Sequence, residues 1–295
     1  MYDRILIPID GSDEATRAAR RGLDFARRVD AAVEVLHVID RRSSTRTTDE
    51  QAALWEHGEE VVAEIESLAA DLEFDRPVTT TVTDGTPAAR IARHAADCDA
   101  GLIVIGRQGI AGLGKRLLGG VTEGVLHRSD VPVLVVPKGD QPTGDSFDYD
   151  RLLVPTDGSD NATRAGPHAN AVARQYGSTV HVVSVIDLQS AGGAFSAGGL
   201  EESFVDRLED EGEDIVADLA TEIDAAGNID VETVVTKTSL DGIAAEISEY
   251  IGTHDIDLVV MGSHGRSNLR RQLLGSVSRT VLRSVDVPVL VVTRS

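Results

Sequence analysis

The chain predicts an α/β fold built as two doubly wound, five-stranded parallel sheets, one in each half. RILIPIDGSDEATR at 4–17 returns as RLLVPTDGSDNATR at 151–164, and VPVLVVPK at 131–138 returns as VPVLVVTR at 287–294, so the chain is a duplication. Within each copy, near-continuous apolar strands alternate with helix-length segments, the pattern of a parallel sheet covered on both faces.

In the first copy the expected strands are ILIPI at 5–9, VEVLHVI at 33–39, VTTTVT at 78–83, LIVIG at 102–106 and VPVLVV at 131–136. The first helix opens at Ser12, a side chain suited to capping. It then places Ala15, Ala19, Leu23 and Ala26 on one stripe at three- and four-residue spacing. Asp84-Gly85-Thr86-Pro87 predicts a turn, an N-cap and a proline at the first helical position.

The repeat offset grows from 147 at the early match to 156 at the late one, so the second copy holds nine extra residues between them. LQSAGGAFSAGGL at 188–200 is their expected host, a Gly, Ala and Ser-rich loop. The expected domains are 1–139 and 150–295, joined by a polar linker at 140–149.

Of 295 residues, 49 are Asp or Glu and 28 are Lys or Arg, a net charge of −21, which disfavours nucleic-acid and anionic membrane partners. One cysteine, Cys98, excludes an internal disulfide and is expected as a small buried hydrophobe. With no signal-peptide pattern at the N-terminus and no apolar run near the roughly 20 residues of a membrane helix, the expected location is cytoplasmic. Lysine occurs only at 115, 138 and 237, and this acidic, lysine-poor composition suggests a halophilic surface.

The acidic excess stops at two places. From Leu258 to Val285 there is no acidic residue, while Arg266, Arg270, Arg271, Arg279 and Arg283 are all basic. Gly262, His264, Gly265, Gly275, Ser276 and Val277 lie in the same window, running from the end of a strand to the start of a helix. Glycines let backbone N–H groups approach phosphate, and the helix N-terminus adds partial positive charge. The first copy repeats this with Gly106, Gly109, Gly119 and Gly120, and Glu123 is its only acid between 100 and 129.

GIAGLGKR at 109–116 approaches a P-loop, but Arg116 replaces the magnesium-binding Ser or Thr, so a P-loop hydrolase is not expected. Pro8 with Asp10, and Pro155 with Asp157, close the first strands, where each carboxylate could accept a ribose or adenine hydrogen bond or cap the next helix. Ligands of doubly wound sheets bind at this carboxyl end, where strand order reverses. His37, His94, His127, His168, His181 and His254 show no metal-ligand spacing, and no nucleophile, base or carboxylate pair points to catalysis.

These residues together resemble the universal stress protein family, over essentially the whole chain and twice. Gly262, Gly265, Gly275 and Ser276 match the spacing of that family's nucleotide-binding members: Gly, two residues, Gly, nine residues, Gly, then Ser or Thr. The resemblance implies a Rossmann-like fold with strand order 3-2-1-4-5, ATP (with or without Mg2+) or a related adenine nucleotide as ligand, and pairing through the last strand. It implies that Asp157 contacts sugar or base, that the Val185 backbone faces adenine, and that the glycines and Ser276 hold phosphate. In the first copy Asp10, Val38, Gly106, Gly109 and Gly119 take those places, but Gly120 replaces the hydroxyl residue. Binding there is expected to be weaker, with Thr122 as the candidate substitute hydroxyl.

Two apolar VPVLVV edges in one chain are expected to pair internally as a pseudo-dimer, with a further homodimer as an extension. The alternative reading is a nucleotide-independent interaction protein of the same fold.

Overall fold

The computed structural model describes residues 1–40, 47–109, 117–138, 147–192, 201–238, 241–265 and 274–293. The chain divides into two compact units, one over residues 1–147 and the other over 148–292.

The first unit runs β1 (Arg4–Ile9), α1 (Asp13–Val29), β2 (Ala32–Asp40), α2 (Thr48–Asp71), β3 (Val78–Gly85), α3 (Pro87–Asp97), β4 (Leu102–Gly106), α4 (Gly120–Arg128) and β5 (Val133–Val136). Its strands lie in the order β3-β2-β1-β4-β5, all parallel, so the expected 3-2-1-4-5 topology is present. The helices follow from their ends inward. Ser12 is extended and its hydroxyl accepts from the Ala15 N–H at 3.2 Å, and Ala15, Ala19, Leu23 and Ala26 are all buried. Thr86 holds the N-cap position of α3 without a side-chain cap bond, and Pro87 begins the helix. At the C-terminal side, Phe147 is buried: its N–H donates to Asp24 and the Arg21 guanidinium lies 3.7 Å over its ring.

The second unit runs β6 (Arg151–Pro155), α5 (Asp160–Thr163), α6 (Ala165–Tyr176), β7 (Thr179–Asp187), α7 (Leu188–Gly192), α8 (Glu202–Ile223), β8 (Val231–Thr238), α9 (Ile243–Thr253), β9 (Leu258–Gly262), α10 (Ser276–Ser284) and β10 (Val289–Val292). Its strand order β8-β7-β6-β9-β10 repeats the same parallel topology.

Two departures from the sequence expectation have local causes. The helix that is continuous as α1 is divided into α5 and α6, because Pro167 has no N–H to bond the carbonyl of Thr163. Residues 188–192, expected as loop, form α7, since the Asp187 carboxylate accepts from the Gln189 and Ser190 N–H groups at 3.0 Å. The rest of that insert, 193–200, lies outside the described residues, as does 140–146 of the expected linker. Tyr149 is fully buried and packs edge-on against Tyr176 at 4.8 Å. Cys98 is half-buried at the C-cap of α3 rather than enclosed. Among the described residues no helix is long and apolar enough to cross a membrane.

Candidate functional site

In both units the pairing of the first and fourth strands, where the order reverses, stops short of their carboxyl ends, and a proline accounts for it. Even-numbered residues of β1 turn their backbone groups toward β4, as the Gly101 N–H bond to the Arg4 carbonyl shows. Pro8 therefore withholds a donor on that side. The β1–β4 register ends at Leu6↔Ile103, while β1 continues beside β2 to Ile9↔His37. In the second unit Asp257 N–H bonds the Arg151 carbonyl, so Pro155 withholds its donor from β9, and pairing ends at Leu153↔Val259. Pro8 and Pro155 are buried in their strands, so their contribution is through the backbone.

Just beyond the strand ends the structure brings together an aspartate and a glycine in each copy. A Cβ on Gly265 would overlap Oδ2 of Asp157, and one on Gly109 would overlap Oδ2 of Asp10. The other oxygen of each carboxylate holds the following turn: Asp157 Oδ1 accepts from Ser159 N–H at 3.0 Å, and Asp10 Oδ1 from Ser12 N–H at 3.1 Å and its hydroxyl at 2.6 Å. Each aspartate thus holds the turn after its strand and lies against a glycine of the loop, while the helix N-caps themselves are Ser12 and Ser159.

Gly262 and Gly106 serve a different purpose. A Cβ on Gly262 would overlap the Asn161 carbonyl, and one on Gly106 would lie 3.1 Å from that of Glu14, so these glycines admit the backbone of the first helical turn against the strand end. Gly275 closes the loop by donating to Ser263 O at 2.9 Å, as Gly119 does to Arg107 O at 2.8 Å. They are also the N-caps of α10 and α4, so Ser276, Val277 and Gly120 lie in the first turns of those helices, with Ser276 and Gly120 exposed. His264 bonds Ser263 Oγ through Nδ1 at 3.0 Å. Arg266 lies outside the described residues.

Val185 and Val38 stand on the strands flanking the first strand on the side away from the glycine loop. The β6–β7 register ends at Pro155↔Val183 and the β1–β2 register at Ile9↔His37, so both valines lie past the last rung with their first strand, half-exposed. Beside Val38, His37 bonds the Ile9 carbonyl at 3.1 Å. Burial pushes its imidazole below the ordinary range, against the bond to Ile9, which favours the charged form.

Thr122 is a correction. Its hydroxyl is buried and donates to the Gly106 carbonyl at 2.8 Å, as Ser278 does to Gly262 at 3.0 Å, so its one proton is committed inside the fold. Thr122→Val is expected to lower first-domain stability by about 1–2 kcal/mol while leaving ligand affinity unchanged, read by urea unfolding and titration. Glu14 and Gln108 were not anticipated: Glu14 Oε2 accepts from the Gln108 N–H at 3.2 Å, and Gln108 Nε2 donates to the Leu117 carbonyl at 2.5 Å. The signal for the first was Glu14 standing where the repeat has Asn161.

The Universal stress protein family pattern matches residues 1–137 and 148–293. The universal stress protein Rv2005c of Mycobacterium tuberculosis is 28% identical over 99% of this chain and 97% of its own. Universal stress protein MJ0531 of Methanocaldococcus jannaschii is 33% identical over 50% of this chain and 83% of its own. Among solved structures, a universal stress protein from Archaeoglobus fulgidus superposes with a TM-score of 0.71 at 25% identity, covering 99% of this chain and 96% of that one. With its two matched halves, its strand order and its doubled glycine loop, the chain belongs to the universal stress protein family and carries two such domains in tandem.

Proposed function

We propose that the second domain binds ATP or a related adenine nucleotide beyond the carboxyl ends of β6 and β9, and that the protein acts as a nucleotide-responsive stress or signalling module. The observation that carries this reading is the closure of Gly265 onto Asp157 at the point where strand order reverses. That contact sets the Asp157 carboxylate, as the candidate group for sugar or base, against one end of a loop whose other end starts a helix at Ser276. The N-terminus of α10 attracts negative charge, and Arg279 and Arg283 follow it in a stretch, 258–285, that holds no acidic residue. Val185 offers backbone past the last rung with β6, where a flat base can take hydrogen bonds.

Among the described residues no cluster of His, Cys, Asp and Glu could hold a metal. Ser276→Ala is the test: loss of one hydrogen bond to a charged group predicts about 10- to 100-fold weaker ATP binding by calorimetric titration. Unchanged affinity removes Ser276 from the site.

The last strands, Val133–Val136 and Val289–Val292, each end their own sheet order with an apolar sequence. We propose that they pair within the chain as a pseudo-dimer, with room for a further homodimer, in a cytoplasm concentrated enough in salt to suit an acidic, lysine-poor surface.

A further inference from the structure

On the nucleotide reading above, we propose that Glu14 sets the ligand class of the first domain. Its carboxylate turns that site away from nucleoside di- and triphosphates and toward adenosine or its monophosphate, leaving polyphosphate to the second domain.

Glu14 lies in the first turn of α1 with its side chain only 12% exposed. Its Oε2 accepts from the backbone N–H of Gln108 at 3.2 Å, in the short turn between Gly106 and Gly109. The same turn meets Asp10 at Gly109. Two carboxylates of the protein thus reach the segment that, in a phosphate-binding loop, would present backbone N–H groups to the ligand. One of those donors is already given to an internal anion.

Lys138 lies 4.0 Å from the other Glu14 oxygen, but it is 61% exposed, and such a pair is strongly screened. A largely buried charge is screened much less, so its repulsion grows with each phosphate charge added nearby. At the repeat position the second domain has Asn161, which is buried and neutral. Gly120 in place of Ser276 removes a phosphate hydroxyl in the same direction. The two domains therefore differ in charge by one unit at this position.

The test uses the full chain and four probes: adenosine, AMP, ADP and ATP, titrated by calorimetry. With the second site silenced by Gly265→Val, first-domain affinity is expected to fall from AMP to ATP. Glu14→Asn is expected to raise ATP affinity by about tenfold or more, with adenosine held within about twofold. In the otherwise unaltered chain, Asn161→Glu is expected to lower second-domain ATP affinity by about tenfold without changing adenosine. The second variant decides the matter alone if Glu14→Asn does not fold. An unchanged ATP-to-adenosine ratio in the folded variants overturns the role of Glu14 while the nucleotide reading stands. If the unaltered chain takes none of the four probes, both fall together.

Discussion

Gly265→Val removes ATP binding by the second domain, a loss of at least about 100-fold, while its unfolding transition stays within a few degrees of the parent. The reason lies in what a side chain at 265 would meet. The Cβ would overlap Oδ2 of Asp157, the far end of a short side chain, and not backbone. Asp157 can rotate away, so the fold survives, but the carboxylate then leaves the position from which it faces the loop. The valine also fills the space through which backbone would approach a phosphate. A 100-fold loss corresponds to about 2.7 kcal/mol of binding energy, within reach of one lost charged hydrogen bond plus a steric block. Calorimetric titration alongside thermal unfolding checks both halves of the expectation. Retained affinity would mean that Asp157 and the glycine loop do not form one site.

Gly262→Val is expected to act in the opposite way, as a folding defect first. Here the added Cβ would overlap the carbonyl of Asn161 and crowd the Ala162 nitrogen, both backbone atoms of the first helical turn. No rotamer change relieves that contact; the strand end and α5 must separate. The buried bond from Ser278 Oγ to the Gly262 carbonyl would be disturbed by the same shift. Overpacking of this kind costs about 3 kcal/mol, which for a domain of this size lowers the melting temperature by about 10 °C. Gly262 and Gly265 stand three residues apart, yet one variant should be read in a melting curve and the other in a titration. Equal destabilisation by both would show that Gly265 is as structural as Gly262.

Much of this was legible in the sequence because the duplication supplied an internal comparison. Residues that recur at 4–17 and 151–164, and again at the two VPVLVV segments, had to hold equivalent places, and the strand order and paired glycine loops follow that equivalence. Pro8 and Pro155 could be seen, but their effect could not. Which neighbour a strand residue addresses depends on parity, and only the register shows that both prolines face the fourth strand.

The repeat itself sets Thr122 apart from the candidate site. An offset of 156 places it on Ser278, whose hydroxyl bonds the preceding strand end, while Ser276 falls on Gly120. Helix α7 escaped because glycine and alanine content pointed to a loop, whereas the Asp187 carboxylate supplies the capping that starts a helical turn. The contact of Glu14 with Gln108 spans 94 positions and depends on α1 lying against the end of β4. Only a folded chain reveals such a pairing.

On the nucleotide reading the end of the sheet beyond β6 and β9, where Asp157 meets Gly265, is an adenine-nucleotide site. Its most direct test is calorimetric titration of ATP into the full chain, with Gly265→Val measured beside it. One tight ATP site per chain is expected in the parent protein, and in the variant only the weaker binding of the first domain. Absence of saturable binding, or binding that persists undiminished in Gly265→Val, would contradict that reading.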